Sequence, residues 1–408
     1  MTSTLHVWLR GQSLAELAKL RNGRLRMRYS AEILDTYGAG ARPLSLSLPL
    51  TDKRVQGDQL ERFLDNLLPE GSARGALERE HRLRPGDTFG LLTHIGRECA
   101  GAIQFTVDPE PPGPGRLIEL SEDEVNRVVA QLPTLDPPPG QVVSASLGGI
   151  QAKVLLTRTA TGWAWPADGA VSTHIIKPEP TSDIAVPDLV RWEEWALRLA
   201  RTAALPAARA ELADFDGRLA LIVERFDRHE GERTHQEDFT QALGVSVRDK
   251  YETTTSEQRL ASIARAAGAE AVEPDELARD LLAQVAFNLL VGNGDAHSKN
   301  YSLSISRAAT YSMSPLYDVA PVFLLNPVFQ NFGHNLDGQG RLRYLTATHL
   351  RDEAGTWRLS EEVIAETIAS VATRVRDALP ACTADGIDVE KVAALVDERA
   401  GAALQVVT

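Results

Sequence analysis

The chain has 408 residues, 43% of them hydrophobic and 24% charged, and carries a net charge of −13 at pH 7. That length allows two or three domains and a sizeable core, while the acidic balance excludes a protein that grips bare nucleic acid over a broad surface, because such binding rests on Lys and Arg neutralising phosphates. Only two cysteines, Cys99 and Cys382, are present, which excludes a disulfide framework or a Cys-rich zinc site and fits a reducing cytoplasm.

In chain order, Met1-Thr2-Ser3-Thr4-Leu5-His6 lacks the charged and apolar regions of a secretory signal. Arg21, Arg24, Arg26 and Arg28 cluster near the N-terminus; they read as a local basic patch or, more plainly, as the solvated face of a strand pair. Leu44 to Leu48 alternates apolar and polar residues, which predicts a half-buried strand. Glu61 to Leu68 has helical spacing and stops at Pro69-Glu70-Gly71. Gly101 to Phe105 reads as a further strand, and the Pro-rich run Pro109 to Gly115 then marks a domain boundary.

Beyond that boundary, Ser121 to Glu124 has capping-box spacing, with Val125, Val128, Val129 and Leu132 on one helical face. A second breaker, Pro137-Pro138-Pro139-Gly140, precedes strands expected at Lys153 to Thr157, Thr173 to Lys177 and Leu219 to Phe226. An amphipathic helix is expected over Leu189 to Ala204. From Gln241 onward helices dominate, at Glu276 to Val291, Glu361 to Ala378 and Val389 to Leu404. The apolar run Leu281 to Val291 is shorter than the about 20 residues that span a bilayer, so it reads as a core helix.

The most informative motif follows that helix. Asn293 to Asn300 reads N-G-D-A-H-S-K-N, so Asp295 and Asn300 stand in a D-x-x-x-x-N relation. Kinases place a catalytic-loop Asp and a metal-holding Asn at that separation. One carboxylate meets the incoming hydroxyl; one carboxamide oxygen holds Mg²⁺ against the phosphates. Tyr317-Asp318-Val319 supplies the second Asp of such a site. The oxygens of Asn300 and Asp318 are hard ligands suited to Mg²⁺. His297 and Lys299, between the two key positions, are candidates to support the loop or a phosphate. The plainer alternative is a tight turn with His297 as its capper.

Three further segments fit the same chemistry. Ser146-Leu147-Gly148-Gly149-Ile150-Gln151-Ala152-Lys153 is a Gly-containing turn leading into a strand, able to wrap amides around phosphates with Lys153 behind them; a plain hairpin would also use those glycines. Lys177 closes an apolar strand, where kinases keep their α/β-phosphate lysine, and Glu193 or Glu194 on the next helix is a candidate partner. Gln236-Glu237-Asp238-Phe239 is the candidate adenine hinge, which works through backbone groups. No H-E-x-x-H or G-x-S-x-G pattern is present.

Taken together, the chain resembles the HipA family of bacterial serine/threonine kinases, the toxins of toxin–antitoxin pairs. The resemblance rests on Leu44 to Leu50, Phe63 to Gly71, Arg97 to Ala102, Ser146 to Lys153, Thr173 to Lys177, Val223 to Arg228, Gln236 to Asp238, Gly294 to Asn300 and Tyr317-Asp318, in that order. It implies an α+β, two-lobed protein-kinase-like fold: an extra N-terminal α+β subdomain over 1–106, a small lobe over 116–240 and a mainly helical lobe over 241–408. It also implies Asp295 as the catalytic Asp and Asn300 with Asp318 on Mg²⁺. ATP phosphates would be held by Lys177 and the Ser146 to Lys153 loop, and adenine by the backbone of Glu237 and Phe239.

In the family, the serine matching Ser146 is itself phosphorylated, which expels the loop and silences the enzyme; a dianionic group cannot share a cradle with ATP phosphates. The resemblance further implies a translation component such as an aminoacyl-tRNA synthetase as substrate. It implies a helix-turn-helix, HipB-like antitoxin as partner, DNA contact mainly through that partner, no membrane and a cytoplasmic location. Val319 stands where other kinases have the rest of D-F-G, and Ala152 where a polar residue is expected. Rival readings are a small-molecule kinase of the aminoglycoside or choline type, and a catalytically idle co-repressor that docks an antitoxin.

Overall fold

The computed structural model describes residues 3–132, 151–180, 186–254, 257–326 and 328–407. Gly148, Gly149, Ile150, Ser146 and the 137–140 breaker therefore lie outside the described residues. Contacts gather the chain into two compact units. The first is Met1–Pro178, Ala213–Val247 and Ser304–Ala309; the second is Glu179–Leu212, Arg248–Leu303 and Thr310–Thr408.

The first unit contains two sheets. Strands β1 (Ser3–Leu9), β2 (Gln12–Lys19), β3 (Leu25–Tyr29), β4 (Val55–Gln56) and β5 (Ile103–Thr106) pair in the order β4-β3-β2-β1-β5. Alternation decides the faces: Leu25, Met27 and Tyr29 are buried while Arg28 is exposed. Of the early arginines, Arg26 and Arg28 lie on β3, with Arg28 exposed, while Arg24 lies just before it and is held by Asp58 at 3.1 Å and Glu61 at 3.3 Å. The helix Asp58–Asn66 buries Leu60, Phe63 and Leu64 against this sheet.

The second sheet is built from β6 (Arg116–Leu120), β7 (Val154–Arg158), β8 (Trp163–Ala167), β9 (His174–Pro178), β10 (Ala210–Phe215) and β11 (Arg218–Glu224), in the order β10-β11-β9-β7-β8-β6. Three of these lie within a residue or two of the expected strands. The register sets Leu221 opposite Lys177 and Val154 opposite Ile176. The helix Glu122–Gln131 opens with the expected capping box, Ser121 with Glu124, and buries Val125, Val128 and Val129. Arg218 Nη1 closes its end on the carbonyls of Val129 at 2.9 Å and Leu132 at 3.0 Å.

Leu44 to Leu48 is not a strand. Residues 43–48 form only bends and a turn on either side of Ser45, although Leu44, Leu46, Leu48 and Leu50 are all buried. The serines between them bond across to another segment instead of to a ladder. Ser45 Oγ donates to Glu237 Oε2 at 2.6 Å, the Leu46 amide to Glu237 Oε1 at 2.8 Å, and Ser47 Oγ to the Gln241 carbonyl at 2.7 Å. Ser45 and Ser47 are buried as fully as the leucines, so the alternation in sequence is not an alternation of burial, and a loop with its own polar partners holds the segment.

The second unit is mainly helical: Leu189–Thr202, Arg259–Gly268, Pro274–Val291, Ala347–Ala354, Glu361–Ala378 and Val389–Val407. Pro274–Val291 starts with Pro at its first turn and Asp275 and Glu276 at the positive end of the dipole. It ends at Gly292 in the left-handed conformation, φ +70°, which a glycine adopts without steric cost. Leu281, Leu282, Val285, Phe287 and Val291 are buried at 0% exposure or close to it, as a helix apolar on most sides requires. No helix among the described residues is long and apolar enough to cross a membrane.

Candidate functional site

Residues Asn293 to Asn300 leave the central helix as a loop that closes in a short 3-10 turn, Ser298–Asn300. The backbone is tied at each step. The His297 amide donates to the Asp295 carbonyl at 2.8 Å, and the Asn300 amide to the His297 carbonyl at 2.8 Å. The Asn300 Nδ2 donates to the Asp295 carbonyl at 2.8 Å. That bond fixes which end of the carboxamide is committed and leaves Oδ1 on the other side. Asn293, Asn300, His297 and Lys299 are buried, yet the Asp295 side chain keeps 42% of its surface open. The loop thus presents one accessible carboxylate on an otherwise closed frame.

His297 accepts from the Lys299 amide at Nδ1, 3.3 Å, and turns Nε2 toward Asp295 Oδ1 at 3.8 Å. Burial pushes its pKa down to about 3, Lys250 lowers it further and the Asp318 carboxylate opposes both. The ring is therefore neutral at working pH and takes its protonated nitrogen toward Asp295. Asp318 has φ +57°, an uncommon conformation for a residue with a side chain, and its neighbour Tyr317 anchors it: Tyr317 Oη donates to the Lys299 carbonyl at 2.8 Å and meets Ser302 Oγ at 2.6 Å.

Below the loop lies a polar spine that the sequence reading treated as plain core. Asn288 Nδ2 donates to the Gln284 carbonyl at 3.0 Å and to Tyr301 Oη at 3.1 Å, while Asn293 Nδ2 donates to Asn288 Oδ1 at 2.8 Å. Gln284 Nε2 donates to the Ser314 carbonyl at 2.6 Å. Gln284 and Asn288 stand four apart on a buried apolar helix. That pairing was the available signal, since a buried amide is kept only when bonded. A cavity of about 430 Å³ lies beside the first half of this helix, lined by Asp280, Gln284, Ser314 and Arg374 among others, and includes no residue of the loop.

Gly333, unlike Gln284 and Asn288, carries no sequence signal. A Cβ there would run into the Ala296 carbonyl and the His297 Cα, so only glycine lets that strand lie against the loop. Gly333→Ala is expected to cost about 2 kcal/mol of stability, as overpacking does, and to lower whatever turnover depends on this loop by displacing His297. Thermal unfolding and turnover measured on the same preparation check this; unchanged values of both would remove the role.

In the first unit, Lys177 is buried at the end of β9, and Gln151, Ala152 and Lys153 are half-buried ahead of β7. Of the two carboxylates weighed for Lys177, Glu194 holds Arg198 at 2.9 Å, and Glu193 is buried on the inner side of its helix. In the hinge candidate, Glu237 and Phe239 are fully buried, and Asp238 caps the helix Phe239–Leu243 by accepting from the Gln241 amide at 2.9 Å. The Glu237 carboxyl, raised to about 8 by burial, is spent on Ser45 and Leu46, which leaves only backbone for a ligand.

His235 is held neutral as well: burial and then Arg10 lower it to about 3, its Nδ1 accepts from the Ala102 amide at 3.2 Å and its Nε2 meets the Leu44 carbonyl at 2.7 Å. The unfolded chain takes up a proton on His235 and His297 below about pH 6.5. For a base whose folded pKa is depressed, stability is full above that value and is lost as pH falls toward the folded value. The urea midpoint is therefore expected to drop between pH 7.5 and 5, and a flat profile over that window would contradict the two neutral rings.

Comparison with known proteins adds the following. Residues 145–379 match the HipA-like C-terminal domain and residues 5–106 the HipA N-terminal domain. Y4mE of Sinorhizobium fredii, which is named as a kinase, is 34% identical over 330 residues, 77% of this chain and 76% of that one. The serine/threonine-protein kinase toxin HipA of Shewanella oneidensis is 29% identical over 358 residues, 83% of this chain and 80% of that one. A chain of the solved complex of Shewanella oneidensis HipA, HipB and operator DNA matches with a TM-score of 0.79 at 27% identity, over 99% of this chain and 96% of that one.

Proposed function

We propose, because the chain belongs to the HipA family of serine/threonine kinases, that it transfers the γ-phosphoryl group of ATP to a hydroxyl of a protein and acts as the toxin of a toxin–antitoxin pair. The observation that carries the chemistry is the loop geometry: a solvent-accessible Asp295 carboxylate on a frame in which Asn300 is locked by its own Nδ2. Asp295 accepts the proton of the attacking hydroxyl. Asn300 Oδ1 and the Asp318 carboxylate are hard oxygen donors and fit Mg²⁺. When bound with ATP, Mg²⁺ supplies charge neutralisation at the phosphates. Lys177, Lys153 and the Gly148 to Ala152 amides serve the phosphates, the backbone of Glu237 to Phe239 serves adenine, and Lys299, His297 and Tyr317 keep the loop in place. Catalysis of this kind is positioning and electrostatics more than covalent work by the protein.

The same reading extends to biology. The relative solved with HipB and operator DNA supports a HipB-like helix-turn-helix partner, with DNA reached mainly through it. The protein substrate proposed is a translation component such as an aminoacyl-tRNA synthetase, the setting the cytoplasm, and Ser146 the site of self-modification. Phosphoproteomics after parallel expression of wild type and Asp318→Ala tests substrate and self-modification together. New phosphoserine or phosphothreonine, Ser146 included, is expected with wild type alone. Label appearing on a free metabolite and never on protein would instead point to a small-molecule kinase.

A further inference from the structure

Tyr251 sets a hydroxyl on the one carboxylate that phosphoryl transfer needs open. Its Oη donates to Asp295 Oδ1, and its ring stands edge-on to His297, centroids 4.9 Å apart and planes at 88°. The segment that carries it is fastened on both sides. Lys250 is buried, and its carbonyl accepts from the Ser298 amide at 3.0 Å and from Arg259 Nη1 at 3.2 Å. Glu252 is buried too: its amide donates to the Gly333 carbonyl at 2.9 Å, and its Oε2 meets His334 Nδ1 at 3.2 Å. Between two buried neighbours, Tyr251 remains 37% exposed. An aromatic ring left in solvent while both neighbours are anchored is being presented at a chosen spot.

We propose that Tyr251 is a specificity-determining residue that stands in for the acceptor: its phenol occupies the place on Asp295 that a protein hydroxyl must take, so an acceptor binds by displacing it. This rests on the kinase reading above. In the transfer, the acceptor oxygen bonds to the γ-phosphorus. The bond from that phosphorus to the β–γ bridging oxygen breaks, its electron pair leaves on ADP, and the acceptor proton passes to Asp295. While the phenol donates to Oδ1, it takes one acceptor position of the carboxylate and its ring crowds the approach, so an incoming hydroxyl must move it aside to use that position. A protein chain bound by many contacts can turn the phenol aside through side-chain rotation alone, since the backbone is fixed. Water, with no such contacts, cannot, and the device therefore suppresses idle hydrolysis of ATP.

The test measures inorganic phosphate released from Mg·ATP by wild type and by Tyr251→Phe with no acceptor added, with Asp295→Asn as the blank. The substitution keeps the ring against His297 and opens room for one water. Release is expected to rise about tenfold, the value of one hydrogen bond to a charged group. A rate equal to or below wild type, in an enzyme that still labels protein, would overturn the proposal and make Tyr251 a positioning residue for Asp295. Phosphotyrosine at 251 in wild type would overturn it too, since the residue would then be an acceptor itself. Wild type that neither hydrolyses ATP nor labels protein would remove the kinase reading and the proposal with it.

Discussion

Asp295→Asn is expected to lower phosphoryl transfer by about 10²- to 10⁴-fold, the range for loss of a positioned proton acceptor. The fold should survive. The Asp295 side chain is 42% exposed, and the loop is held by its backbone, by Asn300 on the Asp295 carbonyl and by Asn293 Oδ1, which accepts from the Asp295 amide at 3.1 Å. None of those bonds involves the carboxylate, and Asn keeps an Oδ1 that can still accept from Tyr251 Oη, so the cost to unfolding free energy should stay within about 1 kcal/mol, the worth of one hydrogen bond. Turnover of labelled ATP into protein, measured beside a melting curve, separates the two effects. An Asp295→Asn enzyme that labels protein at the wild-type rate would strip the residue of its role and leave the loop as a mere turn.

How much of this was legible beforehand depended on how local each signal is. Glu361–Ala378 falls on the expected bounds, and Pro274–Val291 begins two residues early. Helical period and caps are written within one element. The D-x-x-x-x-N spacing was legible for the same reason, since a single loop carries both residues. Leu44 to Leu48 misled because alternation of residue type implied a half-buried strand, whereas Ser45 and Ser47 are buried too and Ser45 and the Leu46 amide are met by Glu237 and not by a ladder. Gly333, Tyr251 and the Gln284 and Asn288 spine depend on partners elsewhere in the chain, some tens of positions away. Sequence order alone has no term for such contacts.

The ion network of the first unit shows the same limit on a larger scale, and it carries the largest stability effect expected here. Arg97 to Ala102 and Val223 to Arg228 were read as separate landmarks, yet Glu98 and Asp227 share the guanidinium groups of Arg225 and Arg228, and Glu98 holds that of Arg233 as well. Glu98 Oε1 meets Arg225 Nη1 at 3.2 Å and Arg228 Nη2 at 3.1 Å, and Glu98 Oε2 meets Arg233 Nη1 at 2.5 Å. Asp227 Oδ2 meets Arg225 Nη2 at 2.8 Å and Arg228 Nη1 at 2.9 Å.

Glu98 and both Arg225 and Arg228 keep 1% of their side-chain surface. Burial opposes ionisation of Asp227, but Arg225 and then Arg228 outweigh it and hold the carboxyl far below the usual range. Burial lowers Arg228 to about 10, so it stays charged at neutral pH. Glu98→Ala would leave buried Arg225 and Arg228 on the single carboxylate of Asp227, would take from half-buried Arg233 its carboxylate, and would remove the acceptor of Ser172 Oγ, which donates to Glu98 Oε1 at 2.8 Å.

Breaking a buried ion pair by removing one partner costs about 3–5 kcal/mol. At about 2–4 °C per kcal/mol for a unit of this size, the melting point of the first unit should fall by roughly 10 °C. Asp58→Ala, which removes an exposed partner of Arg24, should change the unfolding free energy by less than about 1 kcal/mol. The two variants differ only in how far water is excluded from the charges they unpair. Equal melting points for the pair would mean that the buried arginines find solvent or other acceptors, and that the network does not hold β5, β9 and β11 in register.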